Sequence, residues 1–314
     1  MRAIAIDSFG GSERLRLTEV PRPLPSRDEI LVRTVAAGVN PADWKIREGL
    51  LADRLPHAFP LVPGWDVAGV VEEIGESTSR FRKGDKVWAY ARKPLVQWGT
   101  YAEFVAVSED HAALMPSKAL FEEAAAIPMA ALTAYQALFV HARVERGTTV
   151  LVHAAAGGVG HFAVQLATSV GARVYGTASC GNHPFVLQLG AVGAIDYDAE
   201  DFRASVKRLC PDGVDVVLDA VGGDTQRHSF DLLKAGGTLV SVVSEPDGDK
   251  ASEHGVRARW FFVEPDGEQL AHLARLSDHG TLRAHHRIVP FADVARAHDE
   301  SQAGHVRGKL VLAL

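Results

Sequence analysis

Ala154, Gly157 and Gly160 lie at the spacing A-x-x-G-x-x-G within TVLVHAAAGGVGHFAVQLA, residues 149–167. Small residues so spaced, between an apolar strand-like run and a helix-period run, suit the binding of a pyrophosphate. Glycines let the backbone turn sharply, approach phosphate oxygens and pack helix against strand, while the helix N-terminus offers unpaired N–H groups and the positive end of its dipole. Ala156, Gly157, Gly158, Val159 and Gly160 are therefore the expected phosphate contacts, although the first glycine of the common motif is here an alanine.

The next strand bears on which dinucleotide is held. Sites that take NAD usually end that strand with an acidic residue about 20 positions after the glycines, which bonds the ribose hydroxyls. Here the strand reads RVYGTAS, ending at Ala178 and Ser179, and CGNH follows without a carboxylate. Nothing would repel a 2'-phosphate, and Ser179, Asn182 and His183 could bond to it, so NADPH is expected ahead of NADH. No Arg or Lys stands in this loop.

Metal chemistry has little to work with. The 2 cysteines, Cys180 and Cys210, cannot build a four-cysteine lobe, and His285, His286, His298 and His305 show no H-E-x-x-H or comparable spacing. Most of these histidines are expected at the surface. A formal charge of -6 gives no basic footprint for nucleic acid or an anionic membrane. No run approaches the roughly 20 apolar residues of a spanning helix. The opening segment lacks the character of a signal peptide, and the cysteine usage suits a cytoplasmic location.

The elements that must position these residues fall into two textures. Residues up to about 118 read as short strands with turn punctuation: Ala3–Ile6, Glu29–Ala36, Asp66–Ile74, Lys86–Ala89 and Tyr101–Val107. From Phe121 a helical run, FEEAAAIPMAALTAYQALF, leads into apolar strands alternating with amphipathic helices, the pattern of a doubly wound parallel sheet of Rossmann type. Its strands are expected near 150–153, 173–178, 194–196, 214–219, 238–243 and 257–263. The polar stretch Pro246 to His254 reads as a mobile loop, and the last strand, KLVLAL, is expected to return to the first domain. The division is thus 1–118 with 265–314, and 119–264.

AAGVNPADWKIREG, FPLVPGWDVAGVVEEIG, FRKGDKVWA, IPMAALTAYQALF, VLVHAAAGGVG and GHVRGKLVLAL together resemble the medium-chain dehydrogenase/reductase superfamily, in its zinc-independent quinone oxidoreductase branch. The resemblance covers essentially the whole chain. It implies an α/β fold in which a GroES-like β-barrel domain joins the Rossmann domain, with the active site in the cleft between them. Zinc-bearing members place a cysteine after the A-A-G stretch and a His-Glu pair in the P-G segment; Asn40 and Trp65-Asp66 stand at or near those places. Without zinc to stabilise an alkoxide, the expected acceptor delocalises its own charge, as a quinone or a conjugated enone or enal does.

The resemblance also assigns residues. It places Asn40 and Asp43 at the catalytic cleft and Thr133 near the nicotinamide, and Trp44 is an expected substrate contact. It puts Tyr197 on the adenine, and Gly222, Ser244 and Phe262 along the cofactor; Lys309 would reach back toward its phosphate. The residues themselves leave other roles open: Asn40-Pro41 is a normal turn opener, Asp43 a plausible helix cap, Asp66 a turn former and Lys309 a solvated charge. Trp65, Trp98 and Tyr101 read as core. Two rival functions remain, an enoyl or alkenal double-bond reductase and an NADPH-binding structural or RNA-binding protein with little turnover. RARWFFVEP, residues 257–265, has the aromatic character of an edge strand that pairs across a two-fold axis, so a homodimer is expected.

Overall fold

The computed structural model describes residues 1–199 and 201–314. The chain forms two units, residues 1–132 with 265–314 and residues 133–264. In chain order the first unit contains β1 (Arg2–Ala5), β2 (Arg16–Glu19), β3 (Glu29–Val39), α1 (Pro41–Arg47), β4 (His57–Val62), β5 (Asp66–Ile74), β6 (Lys86–Tyr90), β7 (Val96–Trp98), β8 (Phe104–Ser108), β9 (Ala112–Leu114) and α2 (Phe121–Ala125). Helix α3 (Pro128–Tyr135) carries the chain into the second unit. There follow β10 (Thr149–Val152), α4 (Gly160–Ser169), β11 (Arg173–Ala178), α5 (His183–Gln188), β12 (Gly193–Asp196), α6 (Phe202–Leu209), β13 (Val214–Asp219), α7 (Gly223–Ser229), β14 (Leu233–Ser241), α8 (Gly248–Glu253) and β15 (Arg257–Trp260). The chain then returns to the first unit with α9 (Gly267–Asp278), β16 (His286–Pro290), α10 (Val294–Ala303) and β17 (Lys309–Ala313).

In the second unit the strands order as β12-β11-β10-β13-β14-β15, and every neighbouring pair is parallel. The order reverses beside β10, which brings the carboxyl ends of β10 and β13 to the switch point where such sheets bind ligands. Leu151, Val217, Leu239, Val206 and Phe230 pack into one apolar cluster. Each such side chain removed from water contributes about 1.5–3 kcal/mol. Stability at this level secures the strand ends that carry the glycine loop.

The first unit is built around one large sheet, with two smaller two-stranded sheets beside it. β3 is its hub, pairing antiparallel with β5, β8 and β17, and its register shifts against β5 let it bend. Ile30, Val32, Val67, Val87, Val105 and Val107 fill one side. Pairing of Leu310 with Val39 sets β17 beside the end of β3, at the start of α1.

Several expectations need correction. The first unit runs to Leu132 rather than 118, because α2 packs on β3 and β5. The helical run breaks before Pro128, whose ring cannot continue a helix, and after α3 it widens into a π-helical stretch over Gln136–His141. Tyr101 precedes its strand, which starts at Phe104. The stretch expected as a mobile loop holds α8, whose N-cap Asp247 accepts bonds from the Asp249 and Lys250 amides. The strands at 16–19, 57–62, 96–98 and 112–114 carried too few alternating residues to be recognised.

Candidate active site

Residues far apart in the chain meet in the first unit around the start of α1. Asn40 is its N-cap and Asp43 its third residue, and they form a capping box in which the Asn40 amide N–H donates to Asp43 Oδ2 at 2.7 Å. Tyr101 donates its hydroxyl to the same oxygen at 2.8 Å. Asn40 Nδ2 donates to Asp66 Oδ2 at 2.9 Å, and the Met129 amide donates to Asp66 Oδ1 at 2.8 Å. Lys309 completes the cluster. Its ammonium donates to Val39 O at 2.7 Å and to Asn40 Oδ1, with Asp66 Oδ2 at 3.8 Å.

The electrostatics of this cluster follow from its burial. Asp43, Asp66 and Tyr101 are wholly inaccessible, and Asn40 and Lys309 are nearly so. Burial raises the Asp43 carboxyl to about 7, against the pull of its two hydrogen bonds. The same cause pushes Asp66 up and Lys309 down, each opposed by the other's charge. With one ammonium for two carboxylates, the cluster favours a proton on Asp43, the carboxyl farther from direct contact with the lysine. Asp43 Oδ1 has no hydrogen-bond partner, which suits a protonated carboxyl better than a buried anion. Trp44, on the same helix, is half-buried with its indole N–H unbonded.

The structure revises three roles at this cluster. Lys309 is a buried rather than a solvated charge, bonded to Val39 O and Asn40 Oδ1 with Asp66 Oδ2 3.8 Å away. Asp66 is more than a turn former, since it anchors both Asn40 and Met129. Tyr101 is core in packing yet polar in purpose. His298, one of four histidines most of which were expected at the surface, is completely buried in α10 with its ring 5.7 Å from that of Tyr101, and burial lowers it to about 3.

The second unit supplies a separate constellation. The chain leaves β10 through Ala154, whose φ is +52°, and re-enters helix at Gly160. A Cβ on Gly160 would lie 2.2 Å from Ala154 O, so only glycine allows this approach of helix to strand. Val159 caps α4 without a side-chain hydrogen bond, leaving the first-turn N–H groups no side-chain acceptor. Ala156, Gly157, Gly158, Val159 and Gly160 thus share one short loop. Nearby in sequence, Asn182 Nδ2 donates to Ser179 Oγ at 3.0 Å and His183 Nε2 contacts Ala178 O at 3.1 Å, so these residues form a local turn after β11.

After β13, buried Asp219 accepts from the Val221 and Gly222 amides, from Gln226 Nε2 and from Ser241 Oγ. That fixes Gly222 at φ +80°, where a Cβ would stand 3.2 Å from Val243 and 3.4 Å from Ser244 Oγ. Gly222 and Ser244 therefore belong to one turn. Tyr197 is exposed after β12, Thr133 is buried in α3, and Phe262 lies beyond β15 with its ring 6.4 Å from that of Trp260.

His153 and Asp219 were not among the residues singled out from the sequence. His153, at the end of β10, lies 3.1 Å from Thr177 Oγ1 and 2.9 Å from Ser229 Oγ, while Thr177 Oγ1 also accepts the Ala154 amide. Ser229 donates to Thr225 O, so it accepts from His153 Nε2–H, and the ring is neutral; burial lowers it to about 4. The available signal was a polar residue closing the apolar run TVLV.

A dinucleotide fits the second unit, since its glycine loop leads into the N-terminus of α4, where no side chain caps the first turn and an anion can be held. A zinc ion does not fit the first-unit cluster. Trp65 has no ligating atom, an ammonium fills the space beside Asn40 and Asp66, and among the described residues no three His, Cys, Asp or Glu side chains gather. A groove of about 610 Å³ in the first unit, lined by Ile4, Leu15, Thr34, Phe104 and Phe291 among others, contains none of the expected site residues.

Residues 26–117 match the model of the alcohol dehydrogenase GroES-like domain, and residues 189–312 match that of the zinc-binding dehydrogenases. The chain is 38% identical over 345 residues to the human synaptic vesicle membrane protein VAT-1 homolog, covering 99% of this chain and 86% of that protein. Against the zebrafish VAT-1 homolog it is 37% identical over 264 residues, spanning 83% of this chain but only 53% of the relative. Among solved structures, the quinone oxidoreductase from Coxiella burnetii superposes with a TM-score of 0.91 at 37% identity, covering 100% of this chain and 99% of that one. The Escherichia coli quinone oxidoreductase complexed with NADPH superposes at 0.90 and 28% identity, with both chains fully covered.

Proposed function

The chain belongs to the medium-chain dehydrogenase/reductase family, and from that premise we propose that it reduces a quinone or related conjugated carbonyl with NADPH and without zinc. The observation that carries this reading is the cluster at Asn40. Its groups can donate hydrogen bonds to an oxygen that gains negative charge, but they cannot assemble a metal's ligand sphere. An acceptor that spreads its own charge needs only that help.

When bound, the nicotinamide supplies a hydride. In the second unit, Gly157, Gly158 and Gly160 admit the pyrophosphate and the α4 N-terminus balances its charge. Ser179, Asn182 and His183 would bond to the 2'-phosphate, and the absence of an acid from the loop sequence after β11 favours NADPH over NADH. Tyr197 would hold the adenine, and Thr133, Gly222, Ser244 and Phe262 the nicotinamide half. In the first unit Asn40 donates to the acceptor oxygen, Trp44 packs against the acceptor, and Asp43 holds a proton at neutral pH beside them. A quinone takes up one hydride and one proton and leaves as the hydroquinone.

The test is NADPH consumption, in parallel with NADH, against benzoquinones, naphthoquinones, enones and simple aldehydes, before and after a metal chelator. Turnover of quinones with NADPH, unchanged by chelation, is expected. Saturation of an enone's double bond with no quinone turnover would assign the chain to the double-bond reductases. NADPH binding with no turnover on any acceptor would refute the proposal.

A further inference from the structure

We propose that Lys309 is a positioning residue, which locks and polarises the Asn40 side-chain amide so that one of its N–H groups is kept for the acceptor. The inference rests on the reading of Asn40 as the residue that bonds the acceptor oxygen. It starts from a register: Leu310 pairs with Val39, so Lys309, the first residue of β17, stands beside Asn40, the N-cap of α1.

The lysine is 3% exposed, although a residue at the start of a strand following a polar turn could easily reach water. Burying an ammonium is costly unless its donors are used, and here they are. It donates to Val39 O at 2.7 Å and to Asn40 Oδ1, with Asp66 3.8 Å away.

An ammonium can only donate, and an ionised carboxylate can only accept. Asn40 is held between one of each, with Oδ1 toward Lys309 and Nδ2 donating to Asp66 at 2.9 Å. Rotating the amide by half a turn would set its NH₂ against the ammonium and its oxygen against the carboxylate, so only one orientation survives. Asp66 cannot follow such a rotation, because its other oxygen is tied to the Met129 amide. One Nδ2 hydrogen is used by Asp66, and the second is matched to no acceptor in the cluster. A cation on Oδ1 also draws electron density out of the amide, and charge-assisted bonds polarise those linked to them, which makes that second N–H a stronger donor.

The test uses the full chain with NADPH and a benzoquinone. Lys309→Met removes the charge at nearly constant shape. Asp66→Asn/Lys309→Met removes both charges together, which keeps the fold measurable if the single variant, with its unbalanced carboxylate, does not fold. Both are expected to lower kcat about tenfold or more, while the Kd for NADPH stays within about twofold. Asn40→Ala should lose a similar factor, and Lys309→Met/Asn40→Ala should lose no more than Asn40→Ala alone, since residues acting through one group are not additive. Wild-type kcat in the charge-free double variant overturns the proposal. So does a large rise in the NADPH Kd with kcat intact, which would make Lys309 a cofactor contact.

If the wild-type protein reduces no acceptor, the proposed function fails but the lock is still measurable. Selectively labelled Asn40 should then show two well-separated, slowly exchanging side-chain amide protons that converge in the charge-free variant. Identical spectra for the two proteins would sink it.

Discussion

Burial raises the Asp43 carboxyl to about 7, and its titration can be followed without any substrate. Its folded value of about 7 lies above that of an unfolded aspartate, roughly 3.9. The stability contributed by its protonated form is therefore fully present below about pH 4 and lost as pH rises through 7. Asp43→Asn keeps an oxygen for the Asn40 amide and the Tyr101 hydroxyl but cannot ionise. Between about pH 5 and pH 7 the wild type should lose about 2 kcal/mol of stability relative to the variant, measured by denaturant unfolding. A stability difference independent of pH would show that Asp43 is ionised throughout. Asn40 and Asp43 could be picked out from NPADW, but their partners could not. Tyr101 lies 58 positions from Asp43 and Lys309 lies 269 from Asn40, and no local pattern records which buried donor meets which acceptor.

Among the elements, the turn from β10 into α4 is the most constrained. Gly160→Ala would put a methyl 2.2 Å from Ala154 O and 2.7 Å from Ala155 Cα, so the helix must move off the strand. We expect a loss of about 2 kcal/mol or more in stability, together with loss of NADPH binding. Gly157→Ala meets Ala154 O at 3.2 Å and little else, so it should cost about 1 kcal/mol or less. Weaker NADPH binding by that variant, read by titration calorimetry, would then report phosphate approach alone. If Gly160→Ala were as stable as the wild type, the close packing of α4 on β10 would not be what holds the loop. The sequence was a good guide here because helix and strand periods and glycine spacing are local signals. It was a poorer one in the first unit, where short strands such as β4, β7 and β9 are defined by their pairing rather than by their composition.

For the molecule as a whole, the second unit's sheet leaves β15 at an edge with half-exposed Trp260 at its end. An unpaired edge with aromatic residues invites pairing across a two-fold axis. Light scattering at micromolar concentration should give a dimer mass, and a monomer there would exclude that assembly. The sequence by itself determined the doubly wound sheet, the glycine loop at its switch point and the missing acid after β11. Those features arise from contacts within a few tens of residues, where periodicity and φ-specific residues leave direct traces. Only the tertiary structure decided that Lys309 and Asp66 hold Asn40, that Tyr101 serves Asp43 and that Thr177 and Asp219 brace the two turns of the second unit. Buried polar groups must find partners wherever strand register places them, and register is settled by packing across the whole chain.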